Sequence, residues 1–227
     1  METINDMDGE IINLFKMIRN HPDKLSTALY LTPYSEEEYN QAFIREETDD
    51  DIERARKLLI RSLQSHGFST YRKVGWKIDV QGRERSYAVK HWNEVPEIIN
   101  EVADRLKLVQ IHNTDAIELI KRFNYESVFM YLDPPYMLET RTRKQYKHEM
   151  TDEDHEKLLH TIRSSKAKIM ISGYDSELYN QQLQGWNRYE FDATAEMGLK
   201  RKEVIWTNYK DRQMTINDIW PEEKEQP

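Results

Sequence analysis

Cysteine is absent from this chain of 227 residues. Without thiols the chain has no disulfide bond, no cysteine nucleophile and no metal site with cysteine ligands. Long apolar runs are also missing, since no stretch approaches about 18 uncharged apolar residues. The acidic N-terminus, METINDMDGE, does not have the basic and then apolar pattern of a secretory signal. We therefore expect a cytoplasmic protein that needs neither a membrane nor a metal.

Glycine is scarce, and the seven glycines are scattered along the chain. No Gly-x-Gly sequence and no Walker-type phosphate loop occur anywhere in it. Basic residues are also outnumbered, with 33 Lys and Arg against 41 Asp and Glu, which gives a net charge of −8. This balance argues against a protein coated with basic charge for nucleic acid, although a local basic face remains open. Aromatic residues make up 11%, enough for a packed core, so a disordered acidic chain is excluded.

The second half of the chain alternates between apolar strands and helical segments. Short apolar runs at Leu108–His112, Ser127–Leu132 and Lys168–Ser172 are separated by helix patterns, and Arg188–Phe191 and Glu203–Thr207 follow as further strands. Strands separated by helices are typical of an α/β fold with a mostly parallel sheet.

The first half begins with a similar unit and then changes in texture. The end of a strand precedes a helix that Asp8 can cap, with its apolar residues on one face. From residue 20 to 106 the sequence is polar and helical, with scattered aromatic residues. It includes a hairpin predicted within Tyr71–Trp92 and a helix predicted over Glu94–Leu106.

The sequence Asp133-Pro134-Pro135-Tyr136 follows the buried strand directly. In an open α/β sheet, ligands bind just beyond the carboxyl ends of the strands. Two prolines stiffen the loop and leave carbonyl oxygens that can accept hydrogen bonds. Asp133 and these carbonyls can accept from an exocyclic amino group, and the Tyr136 ring can stack on its base. The alternative is a rigid turn at the end of a strand, with Tyr136 packed against the protein.

These residues resemble the amino-methyltransferases with an (Asn/Asp/Ser)-Pro-Pro-(Tyr/Phe) motif, and specifically the Dam-like, D12-class adenine-N6 DNA methyltransferases. The similarity extends from about residue 1 to 210 and keeps the family's order. Its other segments are Asn5–Asn13, Trp92–Pro96, Val109–Asp115, Ser172–Asp175 and Lys202–Tyr209.

The resemblance implies methyl transfer from S-adenosylmethionine to the N6 of an adenine flipped out of DNA. Asp133 and the Pro134 carbonyl would accept the amino hydrogens, and Tyr136 would stack on the base. Asp6 would bind the ribose hydroxyls of the cofactor, and Asp115 would meet its adenine. Each of these two aspartates has an alternative interpretation as a helix cap.

The resemblance also implies a Rossmann-like catalytic domain built from residues 1–20 and 107–210, with a polar tail over 211–227. Residues 21–106 would be a helical insertion that recognises the target sequence. Double-stranded DNA is then the expected partner. Its phosphates would meet basic residues after the motif, at Arg141, Arg143, Lys144 and Lys147. The insertion contributes further candidates, which are Arg45, Arg54, Arg56, Lys57, Arg61, Arg72, Lys73, Lys77, Arg83, Arg85 and Lys90.

One family feature is absent from the sequence, namely the Phe-x-Gly-x-Gly loop that holds the methionine part of the cofactor. Three explanations are open: a split enzyme whose N-terminal piece is a separate polypeptide, a truncated product that folds without methylating, or an unfamiliar cover over the cofactor. Enzymes that methylate protein glutamine or RNA bases share the four-residue motif and stay as alternatives, as does a remnant that only binds DNA.

Overall fold

The computed structural model describes residues 1–66, 70–78, 80, 87–138, 147–194 and 200–210. The helices in this part of the chain are α1 (Gly9–Asn20), α2 (Pro22–Tyr30), α3 (Glu36–Gln41), α4 (Asp51–Gln64), α5 (Tyr87–Leu106), α6 (Ala116–Arg122), α7 (Asp152–Arg163) and α8 (Glu177–Gln182). The strands are β1 (Glu2–Asn5), β2 (Val109–His112), β3 (Phe129–Leu132), β4 (Lys168–Tyr174), β5 (Asn187–Thr194) and β6 (Lys200–Thr207). The mixed α/β content predicted from the sequence is therefore confirmed.

The strands form two separate sheets. One is the parallel pair of β1 and β2, and the other has the order β3-β4-β6-β5. Strands β3 and β4 are parallel, whereas β6 runs antiparallel to both β4 and β5. The expectation of a mostly parallel sheet is wrong for β5 and β6. The connection from Thr194 to Lys200 is too short for the crossover that parallel strands need.

The first hydrophobic core lies among the helices of the N-terminal half. Helix α1 packs against α4 and α5, and α2 packs against the same two helices. The buried side chains of this core include Leu25, Leu29, Ile60 and Trp92. Helix α1, which begins at residue 9, is part of this core. It therefore packs together with the helical segment that follows it.

The predicted hairpin within Tyr71–Trp92 is wrong at its C-terminal end. Helix α5 begins at Tyr87, seven residues before the predicted start at Glu94. Trp92 is 2% exposed and belongs to the helical stripe that continues with Val95 and Ile99. In the first part of the segment, Trp76 forms an isolated antiparallel bridge with Ser65. The middle of the predicted hairpin, residues 81–86, lies outside the described residues.

The second core lies between one face of the four-stranded sheet and helices α7 and α8. Ile169, Ile171 and Val204 are fully buried on this face, beneath Leu159 and Ile162 of α7. Side chains alternate between the two faces of a strand, so the residues between them point to the opposite face. This alternation determines to which face of the sheet the side chains of the residues after β3 point.

Short polar side chains cap the N-terminal ends of helices α1 and α7. The Asp8 side chain accepts a hydrogen bond from the Glu10 amide and caps α1, as predicted. At α7, Thr151 and Asp154 form a capping box, in which each side chain accepts from the other residue's backbone amide.

Candidate active site

Asp133, Pro134, Pro135 and Tyr136 follow the last residue of β3 without a gap. Asp133 is exposed, and the two prolines and Tyr136 are half-buried. The prolines restrict the backbone of this corner and supply no amide hydrogens. The corner is therefore rigid but open to solvent, which a turn sealed in the core would not be.

The Asp133 carboxylate is held by a neighbouring strand. Ser172 of β4 donates a hydrogen bond from Oγ to Asp133 Oδ1 over 2.8 Å. Tyr131 of β3 donates its phenolic proton to Ser172 Oγ over 3.2 Å. All three residues project from the sheet face opposite the core, because Leu132 and Ile171 alternate with them.

Tyr136 packs against a second aromatic ring at the same edge of the sheet. Its ring centroid lies 4.4 Å from that of Tyr174 in an edge-to-face arrangement with an interplanar angle of 65°. Burial raises the pKa of the Tyr136 phenol, and the negative charge of Asp133 raises it further. The phenol therefore stays neutral at any physiological pH. The contact with Tyr174 holds one side of the Tyr136 ring in place.

Asp6 lies in the loop between β1 and α1 and is half-buried. One of its carboxylate oxygens accepts from the Asp8 amide over 2.7 Å, and its carbonyl accepts from the Asn113 side chain over 2.8 Å. Burial raises the pKa of Asp6 above its ordinary value of 3.8. The alternative interpretation of Asp6 as the cap of α1 is wrong, because Asp8 occupies that position.

Asp115 is the N-cap of α6. Its Oδ1 accepts from the amides of Ile117 and Glu118 over 2.8 and 3.2 Å. The capping interpretation of Asp115 is thus confirmed, and the side chain is also exposed. Asp6 and Asp115 both follow the carboxyl ends of the parallel strands β1 and β2, whose last residues, Asn5 and His112, are paired. The fold therefore brings the two aspartates to one edge of this sheet.

The segment after the corner returns to the Asp6 loop. The Lys147 ammonium lies 3.4 Å from Asp8 Oδ1, and the positive charge of His148 opposes the rise in the pKa of Asp6. Arg141, Arg143 and Lys144 lie outside the described residues. Lys147 is thus the one predicted phosphate ligand of this run whose surroundings can be described.

Several basic residues of the helical segment are engaged within the protein. Arg54 pairs with Glu10 at 2.7 Å, and Arg56 pairs with Glu38 and Glu53, each at 2.7 Å. Lys57 and Asp49 form a buried pair at 2.8 Å. Arg61 donates to the backbone carbonyls of Ala42 and Thr70. These cations stabilise the helical core and are poorly placed to meet phosphate.

A cavity of about 430 Å³ lies beside α8 and β5. Its lining includes Asp175, Arg188 and Trp206, but none of the four corner residues. Among the residues that the structure describes, no group of three His, Asp or Glu side chains could hold a metal ion. No helix in the same ranges combines the length and the apolar character needed to cross a bilayer.

Ser172, Tyr131 and Tyr174 have places at the site that the sequence did not assign. Ser172 and Asp133 are 39 positions apart, and only the register of β3 against β4 makes them neighbours. The sequence did contain one signal, since the polar Ser172 directly follows the apolar run Ile169–Ile171.

An acidic, diproline and aromatic corner at the end of a parallel strand, together with two aspartates beyond another parallel pair, is typical of α/β methyltransferases that act on amino groups. Residues 2–197 match the family of D12 class N6 adenine-specific DNA methyltransferases. The chain belongs to this family and is thereby an adenine-specific DNA methyltransferase. This membership disfavours the protein-glutamine and RNA alternatives.

A relative supports the same assignment. The chain is 23% identical over 241 aligned positions to the type II methyltransferase M1.LlaDCHI of Lactococcus lactis subsp. cremoris. The match covers 91% of this chain and 78% of the relative.

Proposed function

We propose that this chain transfers a methyl group from S-adenosylmethionine to the N6 of an adenine flipped out of double-stranded DNA, in the cytoplasm. The observation that carries the proposal is the rigid and solvent-open corner at Asp133, found in a chain of this family. An extruded base can reach such a corner, whereas a base stacked in the duplex cannot.

The corner residues have distinct roles in this reaction. The Asp133 carboxylate and the Pro134 carbonyl accept the two amino hydrogens of adenine, which turns the nitrogen lone pair away from conjugation with the ring. Pro135 keeps the loop stiff, and Tyr136 stacks on the base. The cofactor supplies a methyl group on a sulfonium centre. The N6–carbon bond would form as the sulfur–carbon bond breaks, the sulfur would leave with the electron pair as a thioether, and the amino nitrogen would pass one proton to solvent. The protein's contribution is mainly positioning.

Two aspartates suit the cofactor. Asp6 would accept hydrogen bonds from the ribose hydroxyls, as an acidic residue does in nucleotide-binding α/β folds. The exposed oxygen of Asp115 that does not cap α6 would accept from the amino group of the cofactor's adenine. Both side chains lie at the carboxyl edge of β1 and β2, where this class of fold binds its ligands.

DNA would lie against the segment that follows the corner. Arg141, Arg143, Lys144 and Lys147 would neutralise phosphates, and residues 21–106 would recognise the target sequence. In this division the catalytic domain consists of residues 1–20 and 107–210, followed by the tail over 211–227. The internal pairing of Arg54, Arg56 and Lys57 favours the run after the corner as the main phosphate contact.

Replacement of Asp133 tests the proposal. Asp133→Ala should abolish methyl transfer to DNA, because the amino group loses its acceptor, while the affinity for DNA stays within about twofold. Turnover is measured with methyl-labelled cofactor, and affinity by fluorescence anisotropy. Glu126→Ala is the control, since Glu126 is exposed before the opposite end of β3. Retained turnover in Asp133→Ala would contradict the proposal.

A second candidate is a chain that binds DNA but needs a separate N-terminal methyltransferase fragment to bind cofactor. Two observations favour it: no Gly-x-Gly loop occurs in the sequence, and in the described ranges β1 and β3 each pair on one side only.

Calorimetry with S-adenosylmethionine separates the two candidates. If a separate fragment supplies the loop, the isolated chain should bind the cofactor weakly or not at all. A micromolar dissociation constant would contradict the need for a fragment and favour an enzyme complete in one chain.

A further inference from the structure

Ser172 occupies a special position beside the catalytic corner. The paired register of β3 and β4 ends with Leu132 opposite Ile171, so Ser172 and Asp133 are the next residues of the two chains. Strand β4 continues to Tyr174, which keeps Ser172 within regular structure while Asp133 has left it. Ser172 is 7% exposed, so its hydroxyl needs partners within the protein.

The hydrogen bonds around Ser172 define where its single proton goes. Tyr131 donates to Ser172 Oγ, so the serine proton is directed elsewhere. Its possible acceptors are Asp133 Oδ1 at 2.8 Å and the Leu132 carbonyl at 3.3 Å. The carboxylate is both nearer and charged, and a charged acceptor makes the stronger hydrogen bond. The hydrogen bonds therefore run from the Tyr131 hydroxyl through the Ser172 hydroxyl to the Asp133 carboxylate.

We propose that Ser172 is a positioning residue for methyl transfer: its hydroxyl anchors Asp133 Oδ1 and leaves Oδ2 to accept the amino hydrogen of the target adenine. This inference rests on the role proposed above for Asp133. In the described ranges Oδ2 accepts no hydrogen bond, and Asp133 is exposed, so this oxygen is available to a base. Tyr131 completes the arrangement by fixing the orientation of the serine hydroxyl.

The physical effect is a restriction of the carboxylate's rotation. An exposed aspartate rotates freely about its side-chain bonds, and each rotation moves its acceptor oxygen away from the amino group. A catalytic group needs support from a rigid neighbour to keep its geometry, and a displacement of about 1 Å can reduce a rate by about 100-fold. Ser172 supplies that support from a buried strand.

The test compares Ser172→Ala with Ser172→Thr in the protein expressed from its gene with the native flanking sequence. Loss of the hydroxyl should lower kcat about 10- to 100-fold, with little change in KM for DNA, because the carboxylate is present but poorly oriented. Threonine keeps a hydroxyl on a strand and should restore most of kcat. Assays are run well below the melting temperature of each variant, so that a loss of stability does not imitate a loss of positioning.

Tyr131→Phe is an independent variant that does not open the core, since Tyr131 is 56% exposed. It should lower kcat by a smaller factor, about threefold to tenfold, again without a change in KM. An unchanged kcat in Ser172→Ala would overturn the inference, and so would a failure of Ser172→Thr to recover activity while it stays folded. If Asp133→Ala also keeps its turnover, the proposed function itself fails. If only the Ser172 variants are normal, the failure belongs to this inference alone.

Discussion

The buried pair of Lys57 and Asp49 fixes the loop that precedes α4. The side chains of Lys57 and Asp49 are 8% and 6% exposed, and the Lys57 ammonium donates to both Asp49 oxygens at 2.9 and 2.8 Å. Lys57 also donates to the Ile44 carbonyl. The hydrogen bond from Lys57 lowers the pKa of Asp49 below its ordinary value of 3.8.

Asp49→Asn should destabilise the protein by about 3 kcal/mol, because it leaves the Lys57 charge buried without a counter-ion. Urea unfolding at pH 7 measures the change. The double variant Asp49→Leu with Lys57→Met is the control and should lose less than the single variant, since it removes both charges. A double variant less stable than Asp49→Asn would contradict this account.

The same pair makes stability depend on acid. Because the folded pKa of Asp49 is lowered, its contribution is fully present above pH 3.8 and is lost as the pH falls through the folded value. The gap in stability between the wild type and Asp49→Asn should therefore shrink below about pH 4. A gap that stays constant down to pH 3 would contradict the assignment.

Single residues could be predicted from the sequence where their chemistry is local. Asp133 and Tyr136 could be proposed as site residues because the motif is contiguous and follows an apolar strand, and their roles stay predictions. Ser172 was not assigned a role, because its contact with Asp133 depends on strand register, which the sequence does not state. The ion pairs that Arg56 and Lys57 form with acidic residues were also missed. In a sequence, a basic residue on a helix looks the same whether it faces solvent or a buried carboxylate.

At the scale of elements, Asp115 caps α6 and is also our proposed contact for the cofactor, so its two roles can be tested separately. Asp115 Oδ1 caps the helix, and the second oxygen of this exposed side chain is the one that we propose for the cofactor. The two roles have different requirements. A cap needs only a short hydrogen-bond acceptor at this position, whereas a contact with the cofactor would need a side chain that reaches beyond the helix end.

Asp115→Ala should lower stability by about 1 kcal/mol through loss of the cap and should also weaken cofactor binding. Asp115→Ser should retain the cap and the stability but still bind cofactor more weakly, because serine is too short to reach beyond the helix end. Thermal unfolding and cofactor titration measure the two effects. Wild-type affinity in Asp115→Ser would show that Asp115 is a cap alone.

Elements with strong local signals were predicted well, and those decided by packing were not. The cap of α1 was located from a short polar side chain before an apolar stripe. The start of α5 was misplaced because Trp92 and its neighbours fit a strand by local preference, whereas the helical core buries that tryptophan. The antiparallel direction of β6 was missed because alternation within a strand carries no information about its partner.

At the scale of the molecule, a net charge of −8 must be reconciled with DNA as a partner. The buried and paired cations of the helical core do not reduce this repulsion at the DNA surface, since their counter-ions accompany them. We therefore expect the affinity for DNA to depend on a local concentration of positive charge near the corner.

Replacement of Arg141, Arg143 and Lys144 by alanine should weaken DNA binding and reduce the slope of log affinity against log salt, by about 0.9 for each phosphate that is no longer neutralised. Replacement of Lys121, Arg122 and Lys166 is the matched control. These exposed residues lie before β3 and β4, at the edge opposite the corner. The control should keep the wild-type slope. Equal slopes in both triple variants would exclude the run after the corner as the phosphate-binding segment.

The order of segments along the chain predicted the family and the mixed α/β fold. The separation into two sheets was not predicted, because it depends on which strands pair, not on which segments are strands. Residues 1–20 were assigned with the catalytic domain, yet α1 packs within the helical core. Contacts that join distant segments are therefore the part of this fold that composition and periodicity cannot supply.

The position of the transferred methyl group tests the central claim most directly. The gene with its native flanking sequence is expressed in a host that lacks adenine methylation, and the DNA is digested to nucleosides for mass spectrometry. Wild-type protein should produce N6-methyladenine, and Asp133→Ala should produce none. N6-methyladenine at equal levels in the variant, or methylation of another base by the wild type, would contradict the role of this corner.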